Sequence, residues 1–176
     1  MSNQLPNREQ AIKLLQENNC PPQVIHHCLA VTEFAIGIAH CLQSKGVKID
    51  VPLVEAGALL HDLGRSETHK VDHSLVGARI AQKIGLPQPI INIIKRHVGA
   101  GITDEEANWL GWPKDIYVPQ TIEEKIVSYA DKRIDQGRVV PIETEIERLQ
   151  REGMIEAGER VRRLHEEITN LIGEMT

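Results

Sequence analysis

The chain has 176 residues, about one domain's worth, and is long enough to bury a core without disulfides as a crutch. Charged residues at 26% beside 41% hydrophobic exclude a disordered composition, and aromatics at 3% leave Leu, Ile, Val and Ala to fill the interior, which favours packed helices over a sandwich or barrel. A net charge of −5 argues against a nucleic-acid polymer or an anionic membrane as the main partner, but not against a small phosphorylated ligand.

The opening MSNQLPNREQ is polar, unlike a signal peptide, and no uninterrupted apolar run approaches the ~20 residues of a membrane span. Helical periodicity starts at about Arg8 and runs to Glu17, closed by Asn18, Asn19 and the Pro21–Pro22 break. The next helix spans about Gln23 to Ser44, with Cys28, Val31, Ala35, Ile38 and Leu42 recurring at spacings of three and four, and Gly46 ends it. Cys20, Cys28 and Cys41 are odd in number and lack C-x-x-C spacing, so they read as reduced thiols of a cytoplasmic protein. A third helix begins near Pro52, a good first helical residue, and stops at Gly64.

Asp72 is placed to cap a helix from His73 to Ile84, and Pro87 opens another that runs to His97. Residues 98–120 are less regular, with Trp109, Trp112 and Tyr117 placed either to pin a loop or to stack on a nucleobase. Thr121 followed by Glu124 is a capping-box signature for a helix continuing to about Gln136. After Pro141, Ile142, Ile146, Leu149, Ile155, Val161, Leu164, Ile168 and Leu171 mark a long amphipathic stretch that Gly153 and Gly158 interrupt. No segment reads as a strand. The expected architecture is all-α: a single domain over 1–176, with a core at about 23–136 and a helical extension at about 141–174.

Six polar residues stand on faces where the helical pattern asks for apolar ones. His27 precedes Val31 and Phe34, His61–Asp62 closes the run VEAGALL, and His73 lines up with Val76, Ile80 and Ile84. His97 continues the Ile90–Ile94 face, and Asp131 follows Val127 and precedes Ile134 on theirs. His26 and His40 fall instead on a polar stripe with Glu33. A buried carboxylate is seldom left without a partner. Four imidazoles and two carboxylates on inward faces can satisfy one another by holding cations, and imidazole plus carboxylate without thiolate suits Fe, Mn, Co, Ni or Zn better than a structural Cys-type zinc site, with Mg less expected.

In HHCLAV, LLHDLG and SYADK the residues His27, His61, Asp62 and Asp131 resemble the pattern of the HD-domain metal-dependent phosphohydrolases: a lone His, a His–Asp doublet and a distant Asp on a helical bundle. HSLVGARIA and IIKRHVGAG are similar to the extra His segments of the two-metal branches, which implies that His73 and His97 serve a second ion with Asp62 bridging. The six-residue set is similar to the dinucleoside tetraphosphate hydrolases and the cyclic-dinucleotide phosphodiesterases. The Gly-Tyr-Pro element of the latter is absent, so that substrate is not implied.

Arg65 stands in HDLGR where that branch places a phosphate-binding Lys, which implies a phosphate contact; the bland alternative is a solvated loop cation near Glu67. Lys132 is placed to pair with a ligand carboxylate, and His69 reads as a loop His rather than a spare ligand. The resemblance implies a cytoplasmic hydrolase of a phosphoester or phosphoanhydride, with a nucleotide as the expected small substrate. Asp62, His61 and Asp131 would form the catalytic centre around one or two divalent transition-metal ions that activate water. A di-iron oxygenase on the same ligands and a non-catalytic nucleotide-binding regulatory module stay open as other classes, as does a homo-oligomer.

Overall fold

The computed structural model describes residues 4–173. Helix α1 (Arg8–Glu17) starts on a reciprocal capping box between Asn7 and Gln10 and buries Ala11 and Leu15. Helix α2 (Pro22–Ser44) begins on a proline, whose missing N–H is no loss in a first turn, and buries Val24, Cys28, Val31, Ala35, Ile38 and Leu42. Taken whole, α2 does reach the length and mean hydropathy of a membrane-spanning helix, although no continuous apolar run in the sequence does. Its apolar stripe packs into the protein core, while His26, Glu33 and His40 are exposed on its polar face and His27 is half-buried.

Asp50 caps α3 (Val51–Leu60) by accepting from the Leu53 amide. This helix ends before His61, and Leu63–Ser66 form a 3-10 turn. Helix α4 (His73–Lys83) follows. Asp72 sits at its N-cap position but makes no cap bond, because its carboxylate accepts from the Thr68 hydroxyl. Helix α5 (Gln88–Arg96) runs directly into His97. The 98–120 segment is not wholly irregular: Thr103 and Glu106 form a capping box for a short helix α6 (Asp104–Trp109). Trp109 is exposed, while Trp112 packs edge-on against buried Tyr117, their ring centroids 5.0 Å apart. The latter two rings pin the loop.

Helix α7 (Ile122–Asp131) is shorter than expected. In place of helix to Gln136, Ile134–Asp135 (β1) pairs antiparallel with Arg138–Val139 (β2), against the expectation of no strand. Gln136 and Gly137 both take positive φ, as a two-residue hairpin loop requires. Helices α8 (Ile142–Arg151) and α9 (Ile155–Ile172) are separated at Gly153, whereas Gly158 lies inside α9.

Two apolar clusters result. One gathers α2, α7, α8 and α9 around Val31, Ile126, Leu149 and Val161; the other gathers α1, α4 and α5 with the start of α2 around Leu15, Cys28, Leu60 and Ile94. Helix α3 contributes to both, Val54 and Ala58 to the first and Ala56, Leu59 and Leu60 to the second. The chain that leaves it carries the His–Asp doublet.

Candidate metal centre

The doublet is fixed by how α3 ends. The last carbonyls of a helix have no intrahelical partner, and His61, at the C-cap, donates Nδ1–H to the Ala58 carbonyl at 2.6 Å. His97 repeats this at the end of α5, bonding Ile94 O at 2.7 Å, and His73 bonds Lys70 O at 2.7 Å as α4 begins. Each ring therefore spends its Nδ1 proton on a carbonyl three residues upstream and turns its Nε2 towards Asp62.

The two oxygens of Asp62 divide the set. Oδ1 faces His73 Nε2 at 3.1 Å and His97 Nε2 at 3.4 Å, while Oδ2 faces His61 Nε2 at 3.6 Å and His27 Nε2 at 3.9 Å. Asp131 Oδ1 lies 2.9 Å from His27 Nε2 and 3.4 Å from His61 Nε2. All six sequence-derived residues thus meet. They include two overlapping sets, His27/His61/Asp131 and His61/Asp62/His97, whose donor atoms lie within 4.8 Å of one another.

Protein contacts alone do not satisfy this cluster. Among the described residues, His61 Nε2 and Asp62 Oδ1 are buried without any hydrogen-bond partner. The Nε2 atoms of His73 and His97 stand 3.1 Å apart, with both Nδ1 protons already committed to carbonyls. Lone pairs that face each other at that distance need a positive charge between them. The donor set fits a divalent transition metal for this reason.

The electrostatics agree. Burial would raise the Asp62 and Asp131 carboxyls, but His61, with His73 and His97, holds the first well below the usual range, and Lys132, with His27 and His61, does so for the second. Burial pushes His97 down to about 4. Burial would also lower His61, but the Asp62 charge overrides it, and without a cation His61 is held well above its ordinary value. A metal ion must then displace that proton. Lowering pH restores the competitor, so affinity at the site that uses His61 is expected to rise ~10-fold per pH unit for as long as His61 is protonated in the metal-free protein, with about one proton released as that site fills. Calorimetric metal titrations in two buffers of different ionisation enthalpy measure this; pH-independent affinity would overturn it.

Neighbouring groups hold the ligands. Lys132 Nζ binds Asp131 Oδ2 at 2.5 Å, leaving Oδ1 for the site, and Ser128 donates to the His97 carbonyl at 2.9 Å. Arg96 makes two bonds of 2.9 and 3.0 Å to buried Glu124, tying α5, which carries His97, to α7, which carries Asp131. Sequence reasoning missed this pair. Its signal was an arginine beside a ligand His and a glutamate read only as a cap. Arg65 is not simply a solvated loop cation: its Nε donates to Asp62 Oδ2 at 2.9 Å and Nη1 to His69 O at 3.3 Å.

The centre opens into a cleft of about 730 Å³. His27, Arg65, His73, His97 and Asp131 line its floor, with His69 and Lys70 beside them, and α8 and α9 form the far wall through Thr144, Arg148 and Arg160. The three tryptophan and tyrosine rings of residues 98–120 are not in that lining, so they give no stacking platform there.

The HD-domain family matches residues 24–134 of this chain. The Uncharacterized protein MJ0778 of Methanocaldococcus jannaschii is 43% identical over 93% of this chain and 98% of its own length. A tRNA (cytidine(56)-2'-O)-methyltransferase of Picrophilus torridus is 38% identical over 96% of this chain. This chain spans 48% of that protein's length. The L. monocytogenes phosphodiesterase PgpH HD domain in complex with Cyclic-di-AMP superposes with a TM-score of 0.54 at 19% identity, over 94% of this chain and 98% of that one. This last likeness is one of fold.

Proposed function

The chain belongs to the HD-domain family, and from that premise we propose that it is a metal-dependent phosphohydrolase that cleaves a phosphoester or phosphoanhydride of a nucleotide. The observation that carries the reading is the convergence of three Nε2 atoms, each with its Nδ1 proton tied to a carbonyl, on two ionised carboxylates in a cleft. Divalent ions held there supply Lewis acidity towards a phosphoryl oxygen and lower the pKa of water.

His27, His61, Asp62 and Asp131 form one ligand set, and Asp62, through Oδ1, joins His73 and His97 as a second. Asp62 and Asp131, both ionised, orient the attacking water and accept its proton. Arg65, with Nε on Asp62 and its side chain in the cleft wall, presents its remaining amino group to a phosphoryl oxygen. Lys70 and Arg151 also line the cleft and have no carboxylate partner among the described residues, which suits a substrate with further phosphate charge. PgpH, bound to a cyclic dinucleotide on the same fold, supports a small nucleotide as ligand.

The test is turnover by protein loaded anaerobically with Mn or Fe and then assayed both with and without oxygen, on a panel of mononucleotides, dinucleotides, cyclic dinucleotides and short RNA. Product without oxygen uptake is the expected result. Oxygen consumption would instead indicate an oxygenase, and tight nucleotide binding without product a regulatory module. Replacing both His73 and His97 by Ala is expected to take the metal content from about two ions per chain to about one, with hydrolysis greatly reduced. If the unmodified chain never exceeds one ion, the second site is wrong and the pair is left to bind substrate phosphate.

A further inference from the structure

A second cavity, of about 920 Å³, lies between α2, the end of α7 and α9, and shares no lining residue with the metal cleft. Its size and mixed lining are those of a small-molecule site, typically ~300–1,000 Å³ with apolar walls and a few convergent polar groups. Phe34, the single phenylalanine of the chain, and Tyr129 form an aromatic wall, their centroids 6.4 Å apart. The Arg133 guanidinium lies over both rings, 5.3 and 5.7 Å from their centres.

Arg133 is the distinctive group. Its Nε donates to the Val140 carbonyl at 2.6 Å and its Nη1 to the Tyr129 hydroxyl at 2.7 Å, both neutral acceptors. Tyr129 in turn meets His165 Nδ1 at 2.9 Å. Burial and the Arg133 charge push His165 below its ordinary value, so that ring is neutral and offers no counter-charge. Glu33, the one acid in the wall, is engaged by Arg8 at 2.6 Å. Arg133 is the sole arginine in this cavity's lining, and like Arg151 in the metal cleft it has no carboxylate partner among the described residues. About one turn along α2 from Phe34, a Cβ placed on Gly37 would meet nothing within 4 Å, so the absent side chain leaves open space.

We propose that this cavity is a second ligand site, taking a planar aromatic ring with one negative charge, the ring lying over Gly37 and the anion on Arg133. Ring faces hold the flat body, and the unbalanced guanidinium selects the charge. The site stands apart from the hydrolase reading, because none of its residues is a candidate metal ligand.

The experiment titrates the Zn-loaded full chain with 2-naphthoate, followed by NMR of backbone amides and by calorimetry. Shifts are expected at Gly37, Cys41 and Thr169, with those of Gly64 and His73 unmoved. Gly37→Met fills the open space at a helical position that accepts a longer side chain, and is expected to abolish binding while the thermal midpoint is kept or raised. Arg133→Gln is expected to weaken 2-naphthoate about tenfold and to leave the weaker binding of neutral naphthalene-2-methanol unchanged. Shifts centred on the metal cleft, or full affinity in Gly37→Met, would overturn the proposal. Should Arg133→Gln fail to fold, the Gly37→Met result decides alone.

Discussion

Replacing Asp62 by Ala is expected to empty the metal centre and lower hydrolysis about a thousandfold or more, a loss of ~4 kcal/mol or above in transition-state stabilisation. The size follows from geometry. Asp62 is the only residue whose two oxygens face both halves of the imidazole set, so its removal costs both candidate sites a ligand at once. It also strips Arg65 of the carboxylate that aims it. The fold should survive, because the surrounding clusters are aliphatic and neither relies on the Asp62 charge. Circular dichroism, metal analysis and turnover on one preparation test all three. Full activity in metal-depleted Asp62→Ala protein would refute the hydrolase reading.

Gly64→Ala is expected to be as damaging to stability as Asp62→Ala is to activity. An added Cβ would lie 1.9 Å from the His73 carbonyl oxygen and 2.5 Å from the Gly77 amide nitrogen. Both are backbone atoms of α4, so no rotamer change relieves the clash; the 3-10 turn and α4 must part. Overpacking of this kind costs ~3 kcal/mol or more, read as a lower midpoint in urea with an unchanged slope. The displacement moves His73 away from Asp62, so metal affinity should fall as well. A variant with wild-type stability and metal content would show that the turn is not locked to α4 as described.

Gly64 also marks where the sequence stopped being informative. It was read as the end of the third helix, which in fact stops at Leu60 with Gly64 inside the following 3-10 turn; its real constraint is an approach to a helix that begins nine residues later, and no local pattern records that. The six clustered His and Asp residues were legible for the opposite reason. A His or Asp on an apolar helical face contradicts its own periodicity, and His27, His61, Asp62, His73, His97 and Asp131 each did so. What holds the ligands was not visible, because their partners are backbone carbonyls at Ala58, Lys70 and Ile94, and every residue type has a carbonyl. The β1–β2 hairpin escaped for want of length: four paired residues show no alternation, and Gln136–Gly137 is a weaker turn signal than Asn–Gly. Arg133 fell within the helix expected to run to about Gln136, and lies outside it because α7 ends at Asp131.

The far wall of the metal cleft has one more implication. The family match ends at residue 134, yet Thr144, Arg148, Leu149 and Arg160, on α8 and α9, face the ligands from across the cavity. Arg148 and Arg160 are braced by Glu145, Glu152 and Glu106, so this wall has its own rigid charge pattern. The candidate centre and the wall that faces it are therefore set by separate stretches of the chain, so substitutions in α8 and α9 can reshape the cleft without touching any of the six clustered His and Asp side chains.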